Sequence, residues 1–210
     1  MGVILHQKVD EDCVLAMWEI TEDLDTLHSL VNLTESEMCR VNGFRSHCRK
    51  LEWLSVRALI ATVLNPDVHI VYNEHRKPFL SDNSYNISIS HSRRYTSVFL
   101  SKSKRVGIDL EFMSHAIDKV ASRFINENEY ITIDSDALQR HIYIHWCAKE
   151  ALYKICDKQD IHFKKNLTLT HFEPDPEGGF RGTVHNMYGV EHFDMHYFLM
   201  DNYVIVYCTK

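Results

Sequence analysis

Two long helix-forming segments, accompanied by short strand-forming segments, constrain most strongly what this chain can fold into. The long segments are Arg45 to Leu64 and Asp136 to Cys156, and a shorter helix is predicted at Asp118 to Phe124. Val106 to Phe112 is the clearest of several β-branched strand segments, and Gly178-Gly179 is predicted to form a turn. Helices and strands in this order predict an α+β fold with antiparallel sheets, in two similar lobes that divide near residue 105.

The composition is that of a folded globular protein. The 210 residues are 45% hydrophobic and 25% charged, so a core can form without disulfides or structural metals. Apolar runs are short and the first residues do not resemble a secretory signal, which predicts a cytoplasmic protein with no membrane partner. The six cysteines include no C-x-x-C pair, and we expect free, buried thiols.

Charge is distributed unevenly along the chain, whose formal net charge is −6. Residues 1–39 carry one basic and nine acidic side chains, whereas residues 40–105 carry twelve basic and four acidic ones. A basic middle segment favours an anionic ligand, although a solvated basic helix face would give the same pattern. Nucleic acid is not expected as a partner, because proteins that bind the phosphate backbone usually have a basic domain.

The segment G-I-D-L-E at residues 107–111 alternates between apolar and acidic residues. On a strand, Asp109 and Glu111 point to one face, with Cα atoms about 6.5–7 Å apart. Two neighbouring carboxylates repel each other unless a cation lies between them, and hard oxygen ligands suit Mg²⁺. Gly107 has no side chain on that face, which would leave room for a ligand. The polar face of an ordinary half-exposed strand is the alternative.

Trp146, Glu150 and Lys154 are spaced by four residues and share one side of the second long helix. A surface Glu–Lys pair beside a half-buried tryptophan would explain this spacing. Together with the acidic strand, however, a third carboxylate and a lysine would hold a metal ion bound to phosphate and receive a proton.

Two polar segments in the first half of the chain are candidates for phosphate binding. Ser90, His91 and Ser92 close a strand, and Arg76-Lys77-Pro78 forms a cationic turn. A structural histidine and a solvated loop are the alternatives. His141 and His145 are also four residues apart, but the sequence offers no further zinc ligand beside them.

Four segments in fixed order carry a family resemblance: R-K-P at 76–78, I-S-I-S-H-S at 87–92, V-G-I-D-L-E at 106–111 and W-C-A-K-E-A-L-Y-K at 146–154. Together they resemble the 4′-phosphopantetheinyl transferase superfamily, specifically its two-lobed, surfactin-synthetase-activating type. The resemblance implies an α+β fold of two pseudo-symmetric lobes, each a small antiparallel sheet packed with a long helix. Residues 1–105 would then bind the nucleotide side of coenzyme A, and residues 106–210 would carry the metal and the catalytic groups.

The resemblance also assigns roles to residues at matching positions. Asp109, Glu111 and Glu150 match the carboxylates that hold Mg²⁺, for which Mn²⁺ can substitute. Glu150 is our choice of general base, and Lys154 matches the lysine at the pyrophosphate and the leaving group. The residues that match coenzyme A contacts are Arg49, Lys50, Lys77, Ser90, His91 and Lys149. Arg76 departs from the family, which usually has glycine before Lys-Pro.

The implied activity is transfer of the 4′-phosphopantetheine group from coenzyme A to a serine hydroxyl of an apo acyl or peptidyl carrier protein. Adenosine 3′,5′-bisphosphate would be released. We expect a monomer with coenzyme A and the carrier as partners. Two alternatives remain: a non-catalytic module that binds phosphate or a nucleotide, and another Mg²⁺-dependent phosphotransferase.

Overall fold

The computed structural model describes residues 2–114, 117–156 and 161–210 of the chain. It divides into two compact units, Met1–Lys104 and Arg105–Lys210. Each unit contains an antiparallel sheet and a long helix, so the predicted α+β class is confirmed. Among the described residues, no helix has the length and apolar character that crossing a membrane requires.

The first unit is built on a four-stranded antiparallel sheet of order β1-β2-β6-β5, and β3 pairs with β4 in a separate hairpin. Its strands are β1 (Val3–Lys8), β2 (Cys13–Glu19), β3 (Ile70–Tyr72), β4 (Pro78–Leu80), β5 (Asn86–Ser92) and β6 (Tyr95–Ser101). Its helices are α1 (Leu24–Ser29), α2 (Glu35–Asn42) and α3 (His47–Val63). The long helix α3 packs on β2 and β6.

Local sequence signals explain where these helices begin. Thr34 and Glu37 form the capping box that opens α2, each side chain accepting a hydrogen bond from the other's backbone N–H. The hydroxyl of Ser46 caps α3 by accepting from the backbone N–H of Arg49. Leu54 and Ala58 of α3 are fully buried in the core of this unit. The predicted helix over residues 45–64 therefore forms, with small shifts at its ends.

The second unit is a five-stranded antiparallel sheet of order β7-β11-β10-β9-β8. Its strands are β7 (Val106–Phe112), β8 (Leu167–Leu169), β9 (Glu177–Asn186), β10 (Gly189–Met200) and β11 (Tyr203–Thr209). Its helices are α4 (Ser135–Ile155) and the short α5 (Phe163–Asn166). The strand predicted at Val106 to Phe112 is confirmed, and it forms the edge of the sheet beside β11.

Two predictions for the second unit were wrong. The helix expected at Asp118 to Phe124 is two 3₁₀ turns, Ile117–Lys119 and Ala121–Arg123; Val120 caps the second turn with no side-chain hydrogen bond. Gly178 and Gly179 do not form a turn but lie inside β9, opposite Tyr197 and His196. A Cβ atom at Gly178 would lie 2.9 Å from the ring of Tyr197, so the glycine makes room for that ring.

The helix α4 lies against β7 and β11 and covers the core of the second unit. Gly107 is the point of closest approach, because a Cβ atom there would lie 2.3 Å from the carbonyl oxygen of Ala151. The expectation that Gly107 leaves room for a ligand is therefore wrong, since the backbone of α4 occupies that space. The face of β7 that carries Asp109 and Glu111 is the face turned toward α4.

Gly107→Ala should destabilise the protein by about 1–3 kcal/mol, the usual cost of forcing an extra group into a packed core. Gly43→Ala is the matched control, because the nearest atom to a Cβ there is 3.4 Å away and Gly43 has a helical φ of −71°. Urea unfolding of the two variants and the wild type would measure the difference. Equal stability of all three proteins would show that α4 does not contact β7 in this way.

Candidate active site

A buried ion pair joins the acidic strand to the long helix of the second unit. Asp109 on β7 is 4% exposed, and its Oδ1 accepts a hydrogen bond of 2.7 Å from Nζ of Lys154 on α4. The same Nζ donates to the backbone carbonyl oxygen of Ile108 at 3.0 Å. Lys154 therefore forms hydrogen bonds with both the backbone of β7 and the Asp109 carboxylate. Hydrogen bonds between charged groups are strong where water is largely excluded.

Glu150 lies one helical turn before Lys154 and shares its electrostatic environment with the acidic strand. The pKa of the Glu150 carboxyl is raised to about 7, first by burial and then by the negative charge of Asp109. Glu111 raises the pKa further, whereas Lys154 lowers it. Asp109, Glu111 and Lys154 thus lie close enough to Glu150 to act on the charge of its carboxyl, and a bound cation would relieve the excess negative charge of these four residues.

The carboxylates of Asp109, Glu111 and Glu150 are chemically suited to bind a hard divalent cation. Within the described ranges, no group of three or more His, Cys, Asp or Glu side chains is arranged as a ready metal site. Asp109 is instead engaged by Lys154. Carboxylate oxygens are nevertheless the ligands that Mg²⁺ and Mn²⁺ prefer. The pKa of Glu150 is raised first by burial and then by the negative charge of Asp109, and a bound cation would neutralise that charge.

Lys149 points away from this group into the core of the second unit. It is 0% exposed, and its Nζ donates to the carbonyl oxygens of Phe124 at 2.6 Å and Leu167 at 3.0 Å. It also donates to Oε2 of Glu129 at 2.7 Å. These protein acceptors surround an ammonium that water does not reach, which argues against the predicted contact between Lys149 and coenzyme A.

Glu129, whose side chain is only 2% exposed, is a residue that reasoning from the sequence missed. Its Oε2 also accepts from the backbone N–H of Asn126 at 2.6 Å, and its Oε1 accepts from the backbone N–H of Leu169 at 2.8 Å. Through these hydrogen bonds, Glu129 and Lys149 together connect the loop before α4 and the strand β8 to the helix α4. No sequence signal distinguishes this glutamate from others in polar loops, because its partners lie 20 and 40 residues away along the chain.

The histidines of α4 belong to the same buried region. Burial lowers the pKa of His141 to about 4 and that of His145 to about 3, so both are uncharged at neutral pH. Their rings pack against Phe172, with ring centroids 4.6 and 5.1 Å apart. Among the described residues they are not part of a metal site.

Lys149→Met should cost about 3–5 kcal/mol of unfolding free energy, because it leaves the buried Glu129 carboxylate without its cation. The double variant Glu129→Gln/Lys149→Met should lose less than the sum of the two single losses, since the groups interact directly. Lys165→Met, at an exposed position of α5, is the control and should change stability by less than about 0.5 kcal/mol. Denaturant unfolding measures the two single variants, the double variant, the control and the wild type, and a Lys149→Met variant as stable as this control would contradict the assignment.

The predicted coenzyme A residues of the first unit include one close cluster. Nη1 of Arg49 on α3 lies 2.6 Å from Nε2 of His91 on β5. Glu52, one turn further along α3, places its Oε2 3.3 Å from Nη1 of Arg49 and 3.4 Å from Nδ1 of His91. Glu52 is a second residue that the sequence reasoning missed, although its i,i+3 spacing from Arg49 was a usable signal.

The other predicted residues of the first unit are less closely grouped. Ser90 precedes His91 on β5 and is buried, and its carbonyl oxygen accepts a hydrogen bond from the Ser97 hydroxyl at 3.3 Å. Lys50 follows Arg49 on α3 and therefore points to a different side of the helix, about 100° away. Lys77 lies in the turn between β3 and β4, where its backbone N–H donates to Oδ1 of Asn73 at 2.9 Å.

Arg76, the residue that departs from the family pattern, has a φ of 61°. This left-handed conformation favours glycine and costs other residues about 1–2 kcal/mol. The turn before Lys77 thus has a backbone that suits glycine although an arginine stands there.

The acidic edge strand β7 and the helix α4, which carries Glu150 and Lys154, both lie in the second unit. The family model described as "4'-phosphopantetheinyl transferase superfamily" matches residues 105–208, nearly the whole second unit. This match, which covers just under half of the chain, confirms the resemblance to the superfamily seen in the four sequence motifs.

Two curated relatives are similar to this chain. The 4′-phosphopantetheinyl transferase gsp of Aneurinibacillus migulanus is 35% identical over 152 residues, which is 61% of this chain. The 4′-phosphopantetheinyl transferase HetI of Nostoc sp. is 24% identical over 159 residues, covering 68% of this chain and 67% of the relative. The match spans 63% of the length of gsp, less than two thirds of that protein.

Proposed function

We propose that this chain transfers the 4′-phosphopantetheine group of coenzyme A to a serine hydroxyl of an apo acyl or peptidyl carrier protein, releasing adenosine 3′,5′-bisphosphate. The observation that carries the proposal is the group of Asp109, Glu111, Glu150 and Lys154 on β7 and α4. It lies within the part of the chain that the family model matches. Both named relatives are 4′-phosphopantetheinyl transferases.

The carboxylates have separate tasks in this mechanism. Asp109, Glu111 and Glu150 would hold Mg²⁺ or Mn²⁺, which when bound neutralises charge on the pyrophosphate. Glu150 accepts the proton of the serine hydroxyl at its carboxylate oxygen. The serine oxygen then forms a bond to phosphorus as the bond from phosphorus to the bridging pyrophosphate oxygen breaks.

Lys154 faces the charge that develops on the leaving group. Its ammonium is already held in the acidic group by Asp109 and the Ile108 carbonyl. From there it would donate a hydrogen bond or a proton to the departing adenosine 3′,5′-bisphosphate. Because this interaction grows as negative charge develops, it stabilises the transition state more than bound coenzyme A.

The proposed contacts with coenzyme A use cationic and polar groups of the first unit: Arg49, Lys50, Lys77, Ser90 and His91. Four of these lie on α3 and β5. The third lysine of the predicted set, Lys149, is left out because it is enclosed. We further propose that the protein works as a cytoplasmic monomer, which light scattering of the purified chain would test.

The direct test is incubation of the protein with coenzyme A, Mg²⁺ and a panel of apo carrier proteins, followed by mass spectrometry of each carrier. A gain equal to one phosphopantetheine group on a carrier supports the proposal. Binding of coenzyme A without transfer to any carrier would instead favour a non-catalytic module. Turnover of nucleotides without a carrier would favour another phosphotransferase.

In that assay Lys154→Met should lower kcat by about 10²–10³, the usual loss when a charge-stabilising donor is removed from an active site. Lys77→Met should mainly raise the KM for coenzyme A, because a ground-state contact contributes equally before and during reaction. Circular dichroism should show both variants folded, which matters because Lys154 partners Asp109. If Lys154→Met changes KM and leaves kcat intact, Lys154 binds the ground state and does not act on the leaving group.

A further inference from the structure

Three charged or titratable side chains meet between α3 and β5 of the first unit: Arg49, Glu52 and His91. The guanidinium of Arg49 lies 2.6 Å from Nε2 of His91, and the carboxylate of Glu52 lies within 3.4 Å of both partners. The resemblance assigns Arg49 and His91 to coenzyme A but gives Glu52 no role. A carboxylate between two groups that should bind an anion needs an explanation, since by itself it repels that anion.

The hydrogen-bond chemistry of the three groups fixes the state of the imidazole. A guanidinium only donates, so Nε2 of His91 must accept the hydrogen bond from Arg49. Nδ1 of His91 therefore carries the ring proton, and Oε2 of the Glu52 carboxylate, which can only accept, lies 3.4 Å from that nitrogen. The imidazole is therefore neutral, and the positive charge of Arg49 is balanced by the negative charge of Glu52.

A phosphate monoester cannot use the cluster in this state. A phosphate oxygen accepts hydrogen bonds, and Nε2 of His91 has no proton to give while it accepts from Arg49. When Arg49 turns its Nη1 to the phosphate, Nε2 can take up a proton from solvent and become a second donor. Glu52 favours this step, because its carboxylate stabilises the imidazolium through Nδ1 and keeps the ring and the guanidinium in place.

We propose that Glu52 is a positioning residue that makes binding of the phosphate monoester of coenzyme A dependent on proton uptake by His91. The inference rests on the proposed function for the identity of the ligand. Besides Arg49 and Glu52 on α3, His91 is flanked on its own strand by Ser90 and Ser92, and Arg93 and Arg94 follow; Thr96 on β6, which does not titrate, lies opposite. Glu52 is thus the acidic group of this set that faces the imidazole.

The test compares binding of coenzyme A with binding of 3′-dephospho-coenzyme A, which lacks the monoester. Isothermal titration of the full chain near neutral pH, in buffers of different ionisation enthalpy, measures affinity and proton uptake together. For the wild type, coenzyme A should bind with uptake of about one more proton than 3′-dephospho-coenzyme A, because a single ring nitrogen changes its state. Equal proton uptake with the two ligands would overturn the proposal.

Glu52→Gln gives the sharper result, because simple electrostatics predicts the opposite outcome. Removing a negative charge beside Arg49 should tighten phosphate binding if Glu52 only repels the ligand. Our proposal predicts that coenzyme A binds about tenfold more weakly, a loss of about 1.4 kcal/mol. Binding of 3′-dephospho-coenzyme A should be unchanged, and the extra proton uptake should disappear. Tighter or unaltered binding of coenzyme A would overturn the assignment of Glu52.

Glu35→Gln is the matched control, since it removes the same charge from an exposed position in the first turn of α2 and should change neither affinity nor proton uptake. Glu52→Asp, which keeps the carboxylate, should restore part of the lost affinity.

If Glu52→Gln does not fold, the comparison of proton uptake with the two ligands on the wild type still tests the proposal. Proton-coupled binding of coenzyme A without transfer to any carrier would refute the proposed function and leave this inference standing. Transfer by a Glu52→Gln variant with the wild-type KM for coenzyme A would support the proposed function and refute this inference.

Discussion

The close approach of α4 to β7 positions the acidic group of the second unit. Because Gly107 lacks a Cβ atom, the backbone of Ala151 can lie directly against the strand. The side chains of Glu150 and Lys154, on either side of Ala151 along the helix, then reach the face that carries Asp109 and Glu111. A bulkier residue at position 107 would push the helix outward and separate Lys154 from Asp109, whose carboxylate is otherwise shielded from water.

The helical repeat explains how one short motif performs two unrelated tasks. Lys149 and Glu150 are adjacent in sequence, and successive residues of a helix point about 100° apart. Lys149 is therefore enclosed by Glu129 and backbone carbonyls in the core, while Glu150 faces the acidic strand. The first lysine anchors the helix to the loop before it and to β8, and the second lysine, Lys154, binds Asp109 on the acidic strand.

Much of the architecture could be predicted because its signals are local. Alternation of apolar and acidic residues predicted β7, and the helix-forming segment from Arg45 to Leu64 predicted α3. What could not be predicted depends on residues distant in sequence. The burial of Lys149 requires Glu129, which lies 20 residues earlier in the chain. The two glycines of β9 were predicted to form a turn, because the sequence does not show that Gly178 makes room for the ring of Tyr197 on the next strand. The pairing of Glu52 with His91 likewise joins a helix to a strand some forty residues away.

Our central proposal is that Asp109, Glu111 and Glu150 would together bind a divalent cation, and titration with Mn²⁺ followed by electron paramagnetic resonance tests it most directly. The full chain should bind Mn²⁺, and Asp109→Asn should weaken that binding by more than about tenfold, since even indirect changes at metal sites cost 10–100-fold. Asp194→Asn, at an exposed position of β10, should bind Mn²⁺ as the wild type does. Wild-type affinity in the Asp109→Asn variant would contradict the account.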